Sequence, residues 1–152
     1  MICPPYNILI GKIPIENKSS KYKSINKKIL DSIFSNSAGI TAYSFSPESI
    51  INLEVENSLF LNNNAGIQTF GPVELYSKNN LFSNNINGIL FHFGNSKGIL
   101  INNTVDSKGD AIGFAISNKG NIELKNNIIL NNNYDIYNEG EIIQTIIIWG
   151  KK

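Results

Sequence analysis

Five stretches of the chain share one pattern at nearly constant spacing. The clearest pair is NSLFLNNNAGI (57–67) and NNLFSNNINGI (79–89), which begin 22 residues apart. The versions NNTVDSKGDAI (102–112) and NNIILNNNYDI (126–136) follow after 23 and 24 residues, and a shorter DSIFSNSAGI (31–40) precedes them. A chain that repeats at this period is built from small units, and each unit buries its apolar face only against its neighbours.

The period of 22 to 24 residues, with short apolar runs between turn residues, predicts a β-solenoid. Each repeat would form one coil that pairs in parallel with the next, and coils would stack at about 4.8 Å. Equivalent residues then lie over one another and point into a shared core. The expected inward columns are Ile40, Ile67, Ile89, Ile112, Ile136 and Phe34, Phe60, Phe82, Val105, Ile129.

The same alignment explains why the chain is so rich in asparagine. One vertical column contains Ser58, Asn80, Asn103 and Asn127, with Ser32 before them. A stacked asparagine can donate its amide to one neighbouring coil and accept a hydrogen bond from another. We therefore expect a structural ladder at one bend of every coil, and not a ligand site lined with amides.

The recurrent N-N-x-[F/I/V]…G-I unit resembles the right-handed parallel β-helix repeat of the pectate-lyase-like superfamily. The resemblance covers about residues 28 to 140 and implies an all-β solenoid of about five to six coils with short terminal caps. Residues 1–27 would be an N-terminal cap or partial coil, and residues 141–152 a C-terminal strand or cap. The superfamily includes carbohydrate-binding and sugar-hydrolysing domains, adhesins and phage tailspikes, so the resemblance favours an extracellular, cell-surface or virion-surface location.

Composition excludes several other classes of function. The net charge is only +1 and the 13 basic residues are all lysine, which argues against nucleic-acid binding. Cys3 and His92 are each alone in the sequence, so no cysteine or histidine metal cluster is expected. No apolar run reaches the length of a membrane span, and the first residues lack the pattern of a secretory signal.

Catalytic groups do not converge in the alignment. Superfamily enzymes place clustered aspartates and a basic residue on one wall, whereas Glu54 and Glu123 share an outward column three coils apart, roughly 14 Å. That separation is too large for paired acid and base chemistry. His92 is expected to stack on Phe70 as a structural residue. The sequence thus favours a non-catalytic module for carbohydrate or surface recognition, or a structural building block of an oligomeric assembly. The alternative is a polysaccharide lyase or hydrolase, or its degenerate relative.

Asp106, Asp110 and Asp135 are the only clustered aspartates, and their oxygens could in principle hold calcium. Their spacing matches no calcium loop, and turns use aspartate for their own backbone bonds. No cofactor is therefore expected.

An aromatic and amide wall is the main candidate binding surface. Tyr43, Phe70, His92, Tyr137 and Gln68 are expected to point outward after the Gly-Ile positions. Such a wall suits sugar rings, which stack on aromatic faces and bond to polar groups. Two alternatives stay open, namely packing under a loop such as 44–50 or 93–97, and contact with another subunit.

The C-terminal segment EIIQTIIIWGKK (141–152) is nearly all apolar. It could form a partial coil, a lid over the core, or an edge through which two molecules meet, because an open strand edge seeks a partner. The expected partners are therefore a second copy of the chain, bound through this strand in a homo-oligomer, and a polysaccharide ligand.

Overall fold

The structure is a computed structural model that describes residues 8–11, 23–114, 120–130, 134–138 and 141–150, with side chains over 24–112, 120–130 and at Ile136. Within these ranges every regular element is a β-strand. The strands are β1 Ile8–Gly11, β2 Lys23–Leu30, β3 Ile33–Ser35, β4 Ile40–Tyr43, β5 Ser49–Glu56, β6 Leu59–Leu61, β7 Ala65–Phe70, β8 Val73–Lys78, β9 Leu81–Ser83, β10 Asn87–Phe91, β11 Lys97–Ile101, β12 Thr104–Asp106, β13 Asp110–Phe114, β14 Asn121–Leu130, β15 Tyr134–Asn138 and β16 Glu141–Gly150.

The strands form a parallel β-solenoid, as the repeat predicts. Four coils contain three separate strands each, β2–β4, β5–β7, β8–β10 and β11–β13, and a long β14 with β15 continues the stack. One sheet has the order β1-β4-β7-β10-β13-β15, and the other runs β2-β5-β8-β11-β14-β12-β9-β6-β3. The sequence predicts five to six coils, and the difference from these four complete coils is the incomplete stack of β14, β15 and β16.

Both inward columns lie in the predicted register. Ile40, Ile67, Ile89, Ile112 and Ile136 are successive partners in one sheet. The phenylalanines of the other column stack face to face, with ring centroids 4.9 Å apart for Phe34–Phe60 and 4.7 Å for Phe60–Phe82. The core is therefore a set of one-dimensional stacks, each filled by one residue per coil.

The asparagine ladder is present at the bend between the first and second strand of each coil. The backbone N–H of Ser58 donates to Asn80 Oδ1 at 2.8 Å, and that of Asn80 donates to Asn103 Oδ1 at 3.1 Å. Asn103 continues the series to Asn127 Oδ1 at 2.9 Å. Each side-chain amide donates back to a carbonyl of the preceding coil, as Asn80 does to Val55 at 2.8 Å. One buried asparagine side chain thus provides a hydrogen-bond partner for both an N–H group and a carbonyl group at the bend of the preceding coil.

The residue before each ladder position has a different role. Asn57, Asn79, Asn102 and Asn126 adopt φ angles of 51° to 55°. This left-handed conformation is unfavourable for most residues, and asparagine tolerates it. The tandem asparagines of each repeat therefore combine one exposed residue that turns the chain with one buried residue that bonds the coils together.

A second ladder, which the sequence alignment did not identify, lies at the bend between the second and third strands. The N–H of Ser37 donates to Asn63 Oδ1 at 3.1 Å, and that of Asn63 donates to Asn85 Oδ1 at 2.9 Å. Asn62 and Asn84 precede these residues and have positive φ angles, as at the first bend. The two bends that flank the short middle strand of the coil are therefore built in the same way.

The glycine of the Gly-Ile pair is required by a close approach between coils. A Cβ built on Gly88 would lie 2.3 Å from the backbone oxygen of Ala111 and 2.6 Å from a side-chain carbon of Val105. Neither position can accept that contact without a shift of the next coil. The Gly-Ile pair therefore marks the point where the third strand of a coil begins and packs closely against the next coil.

The terminal strands extend the solenoid at both ends. β1 pairs with β4 in parallel, and Ile8 is in register with Ile40. β16 pairs with β14 along nearly its whole length, so that Ile147 lies beside Asn127. The C-terminal segment is thus a further strand of the stack, and its side chains, like residues 1–7, 12–22 and 151–152, lie outside what the structure describes.

Candidate functional site

Three of the predicted wall residues form one stack at the ends of β4, β7 and β10. Tyr43 is in register with Phe70, and the N–H of His92 donates to the carbonyl of Thr69 at 3.0 Å, which places His92 on the next coil. Ring centroids are 5.2 Å apart for Tyr43–Phe70 and 4.1 Å for Phe70–His92, with the latter rings parallel within 2°. The predicted histidine stack is therefore present, and the faces of Phe70 are occupied by protein.

Two loop phenylalanines cover this stack. Phe45 contacts Tyr43 at 4.1 Å between centroids, and Phe93 contacts Phe70 edge-on at 5.6 Å. Gly71, at a φ of 78°, fixes the second loop through its N–H bond to the Phe93 carbonyl at 2.7 Å. Phe45 is 70% exposed and Phe93 is 41% exposed. The arrangement is the packing under a loop that the sequence left open, with two aromatic rings still facing solvent.

Burial lowers the pKa of His92 below its usual range. The imidazole is therefore favoured in its neutral form, which suits a ring stacked on Phe70.

Gln68 and Tyr137 belong to the neighbouring outward column. Gln68 Nε2 donates to Thr41 Oγ1 at 2.9 Å, and both residues are exposed in part. In the backbone register Gln68 pairs with Leu90, Leu90 with Gly113 and Gly113 with Tyr137. The side chain of Tyr137 is outside the described part, so its contribution to a carbohydrate site stays a prediction.

An open groove of about 820 Å³ lies on a different wall, over the outward side of β2, β5, β8, β11 and the first half of β14. We call this wall the groove face. Register places its outward residues in two columns. The first column is Asn26, Asn52, Glu74, Lys97 and Asn121, and the second is Lys28, Glu54, Tyr76, Ile99 and Glu123.

A comparison with known protein families agrees with the strand register, the two asparagine ladders and the sequence repeat. The family model described as "Right handed beta helix region" matches residues 13–146. The chain belongs to the right-handed β-helix family. No curated protein and no solved structure gives a significant match.

Ion pairs occupy the carboxylates on the groove face of this β-helix. Lys28 Nζ lies 2.6 Å from Glu54 Oε1, and Lys125 Nζ lies 2.6 Å from Glu123 Oε1. The hydrogen bond from Lys28 lowers the pKa of Glu54. Both pairs are substantially exposed, so they contribute little to stability but fix where charge sits along the groove.

The structure describes the side chains of two of the three candidate calcium residues, Asp106 and Asp110. Asp106 ends β12 and Asp110 begins β13, where its N–H donates to Asn87 Oδ1 at 3.1 Å. Burial raises the pKa of Asp110. Over the residues that the structure describes, no three acidic, histidine or cysteine side chains come together as a metal site. The side chain of Asp135 lies outside that part, so calcium stays a sequence-based alternative.

The groove was not identified from the sequence, although its residues were visible there. The column of Glu54, Tyr76, Ile99 and Glu123 follows from the repeat, but only its carboxylates were considered, as candidates for catalysis. Tyr76 beside amides and charged groups was the available signal. Across the described part of the β-helix, no helical segment could cross a bilayer.

Proposed function

We propose that this β-helix is a non-catalytic module that binds an extended, neutral polysaccharide in the groove. The observation that carries the proposal is the groove itself, which Tyr76 and Ile99 line together with polar and charged side chains. Apolar side chains next to hydrogen-bonding groups are what a sugar ring requires, because its faces are apolar and its rim carries hydroxyls.

The spacing of the coils also supports an extended sugar chain as ligand. Equivalent groups on neighbouring strands recur at about 4.8 Å, which is close to the length that one pyranose unit adds to an extended chain. Asn26, Asn52, Glu74, Lys97 and Asn121 lie along one side of the groove, one on each successive strand. Successive sugars would therefore meet one polar or charged side chain on each coil.

The charge of the groove favours a neutral ligand. Three lysines, Lys27, Lys28 and Lys97, and three glutamates, Glu54, Glu74 and Glu123, line it. A polyanion such as pectate would meet as many like charges as opposite ones, so it would gain little from electrostatic attraction. Neutral glycans would use the same groups as hydrogen-bond donors and acceptors.

The absence of turnover is inferred from the state and position of the carboxylates. A glycosidase acid needs a raised pKa, whereas the bond from Lys28 lowers that of Glu54. Glu54 and Glu123 lie on β5 and β14, three strands apart in the sheet, or roughly 14 Å. The alternative of a polysaccharide-active enzyme would need another catalytic pair.

Binding can be tested on purified protein with a glycan array, followed by calorimetry on neutral and acidic polymers. We expect Tyr76→Ala to weaken binding by about tenfold, since the loss of the stacking contact and of the buried ring area together costs at least about 1.4 kcal/mol. Phe45→Ala is the matched control, because it removes an exposed aromatic ring from the other wall. Loss of binding in Phe45→Ala with normal binding in Tyr76→Ala would move the site to the aromatic stack and overturn the groove proposal.

Product analysis on the same polymers tests the non-catalytic part separately. We expect no release of unsaturated or reducing sugar. Release that is abolished by Asp110→Asn or His92→Gln would establish the enzyme alternative, whether or not Tyr76 is needed for binding.

A second candidate role is that of a building block assembled through the C-terminal strand. It is favoured by β16, which has ten residues and, among the described strands, pairs with β14 alone. An edge strand of this length can pair with another chain. Light scattering should then show an oligomer that becomes a monomer when residues 141–152 are deleted or when Ile147→Lys is introduced.

A further inference from the structure

The charged groups that line the groove are not equally engaged within the protein. Glu54 and Glu123 each have a lysine Nζ at 2.6 Å, which is the distance of a close, charged hydrogen bond. Glu74 Oε1, in contrast, lies 3.7 Å from Lys97 Nζ. That distance is longer than a hydrogen bond, so these two groups attract one another by charge alone.

The amides at the β2 end of the groove are also engaged with their neighbours. Asn52 Nδ2 donates to Asn26 Oδ1 at 2.7 Å and to Ser24 Oγ at 2.9 Å. Both N–H groups of the Asn52 amide are therefore used within the protein. A ligand would have to break these bonds before it could use the same donors.

Glu74 and Lys97 lie beside the apolar residues of the groove. Their strands, β8 and β11, are the third and fourth of the five strands under the groove. Register pairs Lys97 with Glu74 and, further along the same two strands, Ile99 with Tyr76. The side chains of Glu74 and Lys97 are 50% and 56% exposed. A loosely held acceptor and donor therefore stand next to an aromatic and an aliphatic side chain that can contact a sugar face.

We infer that Glu74 and Lys97 are the specificity-determining residues of the groove and bind neighbouring hydroxyl groups of one sugar. The inference rests on the proposed function, because it concerns the same groove and the same class of ligand. One hydroxyl donates to the carboxylate of Glu74, and its neighbour accepts from Lys97 Nζ. The apolar face of that sugar contacts Tyr76 and Ile99.

This pair of groups selects a free hydroxyl by its chemistry. A hydroxyl can donate to a carboxylate and accept from an ammonium group, whereas an ether oxygen can only accept. A carboxylate on the sugar would be repelled by Glu74. The exposed ion pair with Lys97 contributes little by itself. Binding therefore costs the protein little and adds two charge-assisted hydrogen bonds.

Titration calorimetry of the intact chain with a soluble β-glucan, an arabinoxylan and a galactomannan tests the inference. For the polymer that binds most tightly, we expect Glu74→Ala and Lys97→Ala each to weaken binding by about tenfold, through loss of a charged hydrogen bond. Glu56→Ala and Lys78→Ala are the matched controls, because these two residues are also partners in register but lie outside the groove lining. The controls should change affinity by less than about twofold, since exposed charges away from the ligand are screened by salt.

The O-methyl ether of the same polymer separates contact with a hydroxyl from a general effect on the groove. Methylation removes the donor that Glu74 accepts from and keeps the sugar ring. We expect the preference for the free polymer over its ether to fall in Glu74→Ala by about tenfold, the factor by which affinity itself falls. An unchanged preference in that variant would overturn the inference, because Glu74 would then act without accepting from a hydroxyl.

Tyr76→Ala distinguishes failure of this inference from failure of the proposed function. Weakened binding in Tyr76→Ala with normal binding in both Glu74→Ala and Lys97→Ala would overturn the inference and leave the groove as the binding site. Normal binding in Tyr76→Ala, or no binding of any of these polymers by the intact chain, would overturn the proposed function and the inference with it. Thermal unfolding of each variant shows whether the fold is kept, and should Glu74→Ala or Lys97→Ala not fold, the other gives the same test.

Discussion

The asparagine bend and the aromatic stack are both columns that take one side chain from each coil, yet they are built differently. At the bend, four buried positions from Ser58 to Asn127 repeat one chemistry, and each bonds to the backbone of the coil below. In the aromatic stack, the described residues that align are Tyr43, Phe70 and His92, and Phe45 and Phe93 join them from loops that do not repeat.

The difference separates the repeated positions, which specify the fold, from the positions that vary between coils, which give the surface its particular chemistry. A repeated position serves the coil itself, because every coil has the same bend to close. A position that changes from coil to coil is released from that requirement and can serve packing, binding or assembly. The following variants test this distinction.

The largest effect is expected from Asn103→Ala. It removes the acceptor of the Asn80 N–H and the donor to the Ser77 carbonyl, both of which are buried. Two buried groups left without partners should lower the free energy of unfolding by about 3 kcal/mol. Chemical denaturation measures this, with Asn95→Ala, at an exposed loop position, as the control. Equal effects of the two variants would mean that the ladder does not stabilise the fold.

Phe70→Ala should have the next largest effect. It removes the ring between Tyr43 and His92, at a half-buried position, and should lower the free energy of unfolding by about 2 kcal/mol. Phe45→Ala, whose ring is mainly in solvent, should cost less than about 0.5 kcal/mol. A larger loss in Phe45→Ala than in Phe70→Ala would show that the loop, and not the stack, holds this end together.

Asn102 separates the two functions of the tandem asparagines. Its φ is 54°, and its exposed side chain donates from Nδ2 to Asn79 Oδ1 at 3.3 Å, so Asn102→Ala should cost about 1 kcal/mol, mainly through backbone strain. Asn102→Gly should stay within about 0.5 kcal/mol of the original chain, because glycine accepts this conformation. If glycine costs as much as alanine, the exposed asparagine acts through its side chain and the left-handed turn is not its reason.

The smallest effect concerns the pH dependence of His92. Burial lowers its pKa in the folded state, so the unfolded chain binds the proton more readily. Stability is therefore full above about pH 6.5, the ordinary histidine value, and declines as the pH falls from there through the folded pKa. Denaturation at pH 7.5 and 5 should show this decline, and His92→Gln should reduce it. An unchanged decline in that variant would assign it to carboxylates instead.

Much of the scaffold could be predicted because it repeats. The column from Ile40 to Ile136 and the ladder from Ser58 to Asn127 follow from one alignment, since parallel coils fix the register by their hydrogen bonds. The second ladder, at Asn63 and Asn85, was equally present in the repeat. An expectation of one asparagine bend per coil does not include it, because the short middle strand has an asparagine bend at each of its two ends.

The surfaces were harder to predict for a physical reason. Lys28, Glu54, Tyr76, Ile99 and Glu123 form one column of five dissimilar residues, and no alignment shows that the wall they occupy is concave. The aromatic residues were found, but the sequence could not show that Phe45 and Phe93 close over them. Concavity and loop placement depend on distances between coils and turns, which the repeat alone does not give.

The most direct test of the account is a paired measurement of glycan affinity and unfolding free energy on Tyr76→Ala and Asn103→Ala. Tyr76 belongs to a column that varies between coils, and Asn103 to one that repeats. We predict that Tyr76→Ala loses affinity by about tenfold with nearly unchanged stability, and that Asn103→Ala loses about 3 kcal/mol of stability with unchanged affinity below its unfolding transition. Loss of both properties together in either variant would contradict the separation of scaffold from binding surface.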